Sequence, residues 1–349
     1  MFPTSTNMYG LSGAAPLAMT SPFSAQQRPM FAPSVQESKI TIPKKAESNM
    51  QGFLIDFATG GVSGAIAKTI TAPIERVKLL IQTQDANPKI VSGEIPRYTG
   101  IVNCFSRVYA EQGLGAFWRG NVTNILRYFP TQAFNFAFKD SIKGLFPKVN
   151  PKEEFGKFFA INMASGGLAG AGSLCFVYPL DYARTRLASD VGSGKRDFNG
   201  LFDCIGKTMA RGGPLALYQG FGVSVMGIIP YRGVYFGLYD TAREQNPYKN
   251  DLGAVGIVSK FFIAQLVAIT AGYASYPFDT VRRRLQMQAE KPRSEWLYQG
   301  TMDCFTKVAQ KEGMGAFFKG AGANALRTVG SAMVLVLYDQ IKGIINASK

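Results

Sequence analysis

Histidine is absent from all 349 residues, cysteine occurs four times, and Asp, Glu, Lys and Arg together make up only 17% of the chain. Without imidazole, no Ser-His-Asp-type constellation can be built, and no close cysteine pair exists to begin a zinc site. A glycine-rich phosphate loop ending in Lys-Ser/Thr is also missing. These gaps exclude the commonest catalytic designs, so the expectation is no enzyme, no metal and no cofactor. Cys104, Cys204 and Cys304 recur one hundred residues apart at equivalent positions, and a secreted disulfide framework is disfavoured. They read as small buried apolar residues, with a redox-sensitive role as the alternative.

What charge there is leans strongly to one sign: 38 Lys and Arg against 23 Asp and Glu, on a chain that is 46% hydrophobic. Cations on an apolar chain point to an anionic membrane surface or an anionic ligand. Nucleic acid is disfavoured because the bases are scattered through apolar segments rather than gathered in a stripe. Residues 158–180, 212–231 and 261–278 run without a charge for 23, 20 and 18 positions, about the length a bilayer crossing needs. Three further apolar segments are interrupted by single cations, Lys68, Arg127 and Arg327. Mean hydropathy is only +0.02, low for six spans. Helices lining a watery cavity need only one apolar face, and a soluble bundle would have to bury those three cations without evident partners.

The reading is therefore an all-α membrane protein with six transmembrane helices at roughly 53–84, 121–146, 156–188, 221–243, 257–287 and 320–345. Between the members of each pair, segments near 99–112, 199–211 and 299–312 read as short amphipathic helices on one membrane surface. Small-residue stripes at Gly60-Gly61-x-x-Gly64 and Gly166-Gly167-x-x-Gly170 suit close helix packing, with Ala268 and Gly272 a weaker third copy. Residues 1–50 are rich in Pro, Ser, Ala and Met and carry no acid before Glu37. They read as a disordered extension.

One pattern is written three times: Pro73-Ile-Glu75-Arg-Val-Lys78, Pro179-Leu-Asp181-Tyr-Ala-Arg184 and Pro277-Phe-Asp279-Thr-Val-Arg282. Each leads to a glycine (Gly100, Gly200, Gly300), a cysteine four residues on, and an aromatic-x-Gly turn ending at Gly120, Gly220 or Gly320. Three pseudo-threefold repeats follow, at 51–150, 151–249 and 250–349. Two charges per helix at membrane depth are costly unless paired. Threefold repetition lets each acid reach a neighbour's base, predicting a ring of Glu75–Arg184, Asp181–Arg282 and Asp279–Lys78. Pairing within each motif is the alternative.

A second set late in the even helices predicts another ring: Asp140–Arg243, Asp240–Lys342 and Asp339–Lys143. Two rings that cannot both close around one cavity make an alternating-access gate. Between them lie Lys68, Arg127 and Arg327, read as unpaired. Repeat two breaks the pattern, with Gly227 where the others carry arginine, followed by Ile228 and then Tyr231. Cations facing a flat aromatic wall suit a nucleotide, with its phosphates on the bases and its ring against Tyr231.

The three Pro-x-acid-x-x-base copies and the three aromatic-x-Gly turns together resemble the mitochondrial carrier family over about residues 52–346. Stretches at 72–80, 127–132, 173–181 and 275–284 are similar to its adenine-nucleotide branch. The resemblance implies exchange of ADP for ATP across the mitochondrial inner membrane by a functional monomer. It places the first ring and the short helices on the matrix side, the second ring on the cytoplasmic side, and cardiolipin at the matrix surface. It adds Ser275 and Arg283 to the substrate set and Gln82 as a brace of the matrix ring. The departure is Leu285-Gln286 after Arg282-Arg283-Arg284, where that branch carries methionines. It reads as a packing or bracing change and leaves open a carrier for another nucleotide or anion, or another membrane. A proton-leak carrier is the nearest rival by fold.

Overall fold

Each of the three longest helices encloses one of the repeated prolines. These are α1 (Met50–Thr83), α4 (Phe155–Ala188) and α7 (Ala254–Gln288), holding Pro73, Pro179 and Pro277. A proline there withdraws one backbone donor and favours a bend. Between them lie α2 (Ile101–Gln112) and α3 (Asn121–Gly144) in the first repeat, and α5 (Leu201–Gly212) and α6 (Phe221–Gln245) in the second. The third repeat closes with α8 (Thr301–Glu312) and α9 (Ala321–Ala347). The computed structural model describes residues 50–347 apart from 148, 150–153, 193–195 and 252. The expectation for 1–49 falls outside the described residues.

The six long helices form a closed ring in the order α1, α3, α4, α6, α7, α9, with α9 returning against α1. Their outward faces carry large apolar side chains, among them Ile66, Ile70, Phe176, Ile229, Phe262, Leu266 and Leu326. The motif charges and Lys68, Arg127 and Arg327 face the interior instead. A soluble bundle has the reverse arrangement, so this inside-out distribution belongs to a protein surrounded by lipid. Gly156–Ala188, Pro214–Gln245 and Val255–Gln288 are long and apolar enough to cross a bilayer on composition alone. Among the described residues, the other three long helices, which carry Lys68, Arg127 and Arg327, do not meet that mark.

The short helices follow from local chemistry. Gly100, Gly200 and Gly300 have no side chain with which to cap, so the third helical residue reaches back. Asn103, Asp203 and Asp303 accept from the backbone N–H of Thr99, Asn199 and Gln299 at 3.2, 2.8 and 2.8 Å, a variant of the capping box that engages the residue before the N-cap. Their buried faces pack on the ends of the proline helices: Cys104, Val108 and Phe117 meet Val77 and Leu80 in the first repeat. Cys204 and Cys304 lie in equivalent clusters. All three cysteines are solvent-free, and burial pushes each thiol up to about 12.

The glycine stripes work differently from simple helix contact. A Cβ on Gly61 or Gly64 would strike the rings of Phe129 and Tyr128, and one on Gly166 would strike the Arg232 guanidinium. The stripes thus seat large side chains from the neighbouring even helix.

Gly120, Gly220 and Gly320 end the turns at φ of 81–83°, a left-handed region that favours glycine. A Cβ there would also lie 3.2, 3.0 and 3.1 Å from the carbonyls of Arg184, Arg282 and Lys78. Each turn is therefore pressed onto the motif base of the next repeat.

Candidate functional site, a basic cavity closed by a ring of ion pairs

Where the proline helices converge, the three cross-repeat pairs are formed. Lys78 Nζ lies 2.8 Å from Asp279 Oδ2, Arg184 pairs with Glu75, and Arg282 pairs with Asp181. All six side chains are buried or half-buried. Pairing across repeats satisfies each base with a neighbour's acid, so no isolated charge is left at that depth.

The three pairs are unequal. Asp181 is 3% exposed and also accepts from Arg283 Nη1 at 3.1 Å and Gln286 Nε2 at 3.2 Å. Glu75 accepts from Asn124 Nδ2 at 3.0 Å. Asp279, the most exposed of the acids at 25%, accepts from Gln82 Nε2 at 3.2 Å. Gln82 also donates to Thr280. Gln286 stands nine residues after Pro277, as Gln82 stands nine after Pro73. It bridges the same elements of the second pair: besides Asp181 it donates to Tyr178 Oη and accepts from Arg283. Leu285 is buried in the apolar cluster beneath α8.

The ring floors a cavity of about 380 Å³ lined by Lys68, Arg127, Gly227, Ile228, Tyr231, Ser275, Arg283 and Arg327, the whole of the candidate substrate set. Eight bases line it against two carboxylates, so its potential is strongly positive and suits a polyanion. Lys68 lies over the Tyr128 ring at 5.3 Å. Tyr231 begins a stacked tyrosine ladder with Tyr235 and Tyr239 along α6, at centroid spacings of 6.0 and 5.7 Å.

Two expectations are corrected and a third is extended. Arg127 and Arg327 are not without partners: each places Nη1 3.8 Å from a carboxylate of the ring, of Asp181 and Glu75 respectively. These long contacts arise because each cation projects down toward the ring floor. Arg283 lines the cavity yet is held by Asp181, Thr185, Gln286 and Asp279, so here it is a member of the ring. Gly227 serves packing as well as space, since a Cβ there would stand 3.0 Å from that of Phe278.

Sequence reading missed Arg232, which lines the cavity from α6, and Asn124 and Thr185, which bond to ring members. The six residues of the opposite ring lie on α3, α6 and α9. The side chains of Asp140, Lys143, Asp240, Asp339 and Lys342 are outside the described set, and Arg243 is exposed. Among the described residues, no group of three or more Cys, Asp or Glu side chains is placed to hold a metal ion.

The family model "Mitochondrial carrier protein" matches residues 49–150, 156–249 and 253–349. Over 308 residues the chain is 63% identical to an ADP,ATP carrier protein of Parachlorella kessleri, covering 88% of this chain and 89% of that protein. It is 54% identical over 296 residues to ADP/ATP translocase 3 of Bos taurus, covering 84% and 98%.

Proposed function

The chain belongs to the mitochondrial carrier family, and from that premise we propose that it exchanges ADP for ATP across the mitochondrial inner membrane. One observation carries the reading: a cavity lined by eight bases is closed at one end by three ion pairs that join all three repeats.

The contacts of Arg127 and Arg327 suggest how ligand and gate communicate. Nucleotide phosphates recruited by these arginines and by Lys68 withdraw two cations from Asp181 and Glu75. Two of the three repeat interfaces are thereby weakened when substrate is bound. A ligand shifts such an equilibrium only by its differential affinity for the two states. The polyphosphate supplies that difference through charge-assisted hydrogen bonds that replace the ring's own. The adenine lies against Tyr231, Gly227 and Ile228, where repeat two offers an aromatic ring in place of guanidinium.

Opening of the matrix ring is matched by closure of Asp140–Arg243, Asp240–Lys342 and Asp339–Lys143 at the cytoplasmic end. One side is then always shut, and exchange is obligatory. The protein works as a monomer with both termini in the intermembrane space. Cardiolipin lies against the matrix-side surface near the helix starts that follow the aromatic-x-Gly turns. No covalent chemistry is involved.

The test is uptake of labelled nucleotide into liposomes loaded with ADP, against an external panel of nucleotides and other anions. ADP and ATP exchange is expected to exceed the rest, and Arg127→Ala or Arg327→Ala to lose exchange while the protein still unfolds cooperatively on heating. Full exchange by both variants removes the site, and preference for another anion replaces the substrate.

A further inference from the structure

Outside the gate ring, a second set of carboxylates also crosses the repeat interfaces. Asp85, just after α1, receives Lys319 Nζ at 2.5 Å and Arg284 Nη2 at 3.3 Å from the third repeat. Glu290, just after α7, pairs with Arg186 and lies 3.8 Å from Arg211, both of the second repeat. Asp190, just after α4, lies 3.7 Å from both Lys89 and Arg119 of the first. Its backbone carbonyl accepts from Arg76.

In the gate ring, the acid of each repeat takes a base from the following repeat. In this outer set, the acid of each repeat takes bases from the preceding one, Asp85 also meeting Arg97 of its own repeat at 3.4 Å. Every interface is thus crossed by ion pairs running in both directions. Asp85, Asp190 and Glu290 are absent from the cavity wall. The three are largely buried, with side-chain exposures of 2, 8 and 12%, so their pairs are shielded from the screening that weakens surface bridges.

We propose that this outer tier is a latch on the closed end. It fixes how much of the population keeps the matrix side shut, and it parts and reforms in every cycle without touching substrate. Opposed pairing gives it a mechanical meaning. A twist of one repeat that relaxes a gate pair at one interface draws on the outer pair of the same interface, so the tiers yield together. The inference rests on the gate reading above.

Its test uses two readouts. The first is a cross-link. Thr83 Oγ1 and Ser189 Oγ lie 3.2 Å apart across the interface of repeats one and two, beside Asp190. Cysteines at both positions, with Cys175→Ser removing the exposed native thiol, are expected to form a disulfide in the closed state. Adding Asp85→Asn or Glu290→Gln should slow that cross-link about tenfold, and exchanging the charges as Glu290→Arg with Arg186→Glu should restore it. The second readout is exchange in oriented liposomes. The same variants should lower the apparent KM on the matrix side and raise it on the other, whereas a damaged fold lowers the maximal rate on both sides. An unchanged cross-linking rate, or a parallel change of KM on both sides, overturns the latch. Because cross-linking needs no transport, a chain that exchanges no nucleotide would sink the functional proposal and leave this one separately decided.

Discussion

Neutralising the gate acids one at a time should not give three equal effects, although the sequence motif treats them alike. Asp181 is 3% exposed and meets Arg282, Arg283, Gln286 and, at 3.8 Å, Arg127. Asp181→Asn leaves two buried guanidinium groups facing a neutral amide. Removing one partner of such a buried pair costs about 3–5 kcal/mol. Asp279 is 25% exposed and lines the cavity, with Lys78 at 2.8 Å and Arg283 only at 3.4 Å, so solvent screening reduces the loss in Asp279→Asn to about 1 kcal/mol. The gap of roughly 2–4 kcal/mol corresponds to about 30- to 1,000-fold in the balance of closed and open states. At about 2 °C per kcal/mol for a chain of this size, Asp181→Asn should lower the thermal midpoint in detergent by roughly 6–10 °C and Asp279→Asn by about 2 °C. Glu75→Asn should fall between them. Exchanging the charges as Lys78→Asp with Asp279→Lys should recover much of the smaller loss, which controls for the size of the side chains. Equal midpoints for Asp181→Asn and Asp279→Asn would refute the argument that ligation and exposure, rather than the motif, set each pair's strength.

Gln286→Met removes the bridge among Asp181, Tyr178 and Arg283 at nearly constant volume; a midpoint lowered by about 2–4 °C is expected, and an unchanged one would reduce Gln286 to filler. Glu312 is acted on first by burial, which raises its carboxyl, but its hydrogen bonds to Arg284 and Lys319 prevail and hold it at about 2. Because the folded value lies below the ordinary 4.5, its contribution is complete above that pH and drains away as the pH falls toward 2. Thermal unfolding of Glu312→Gln should therefore show a shallower loss of stability between about pH 5 and 3 than the parent; identical acid limbs would contradict the assignment. A membrane-permeant maleimide should label Cys175, which is exposed, and spare Cys104, Cys204 and Cys304 until unfolding; early labelling of those three would show that their clusters open.

The repeat, the six long helices and the gate pairs were legible because they recur at fixed spacing, and an acid and base three residues apart on a bent membrane helix have few ways to be satisfied. What escaped has a physical reason. Asp85, Asp190 and Glu290 follow their motif prolines by 12, 11 and 13 residues, so unequal loops blur the register just where the outer pairs form. Arg283 reads from the resemblance as a substrate contact, but a guanidinium one residue beyond a ring base reaches both the cavity and the ring. For Gln286 the packing-or-bracing alternative could be decided by its offset from Pro277, which equals that of Gln82 from Pro73. The contacts of Arg127 and Arg327 with the gate acids depend on helix inclination, which spacing does not encode.

The glycines that end the aromatic turns carry a consequence for how the seams can part. Each is wedged against the main-chain carbonyl of its neighbour's gate base, at 3.0–3.2 Å from where a Cβ would stand. Around the circle every repeat therefore both presses and is pressed. Displacing one base thus changes the load on the adjoining turn, and the three seams are coupled. Opening should spread through all three seams as one concerted dilation and enlarge the protein's footprint on that leaflet, so lateral pressure in the bilayer becomes a control on the cycle.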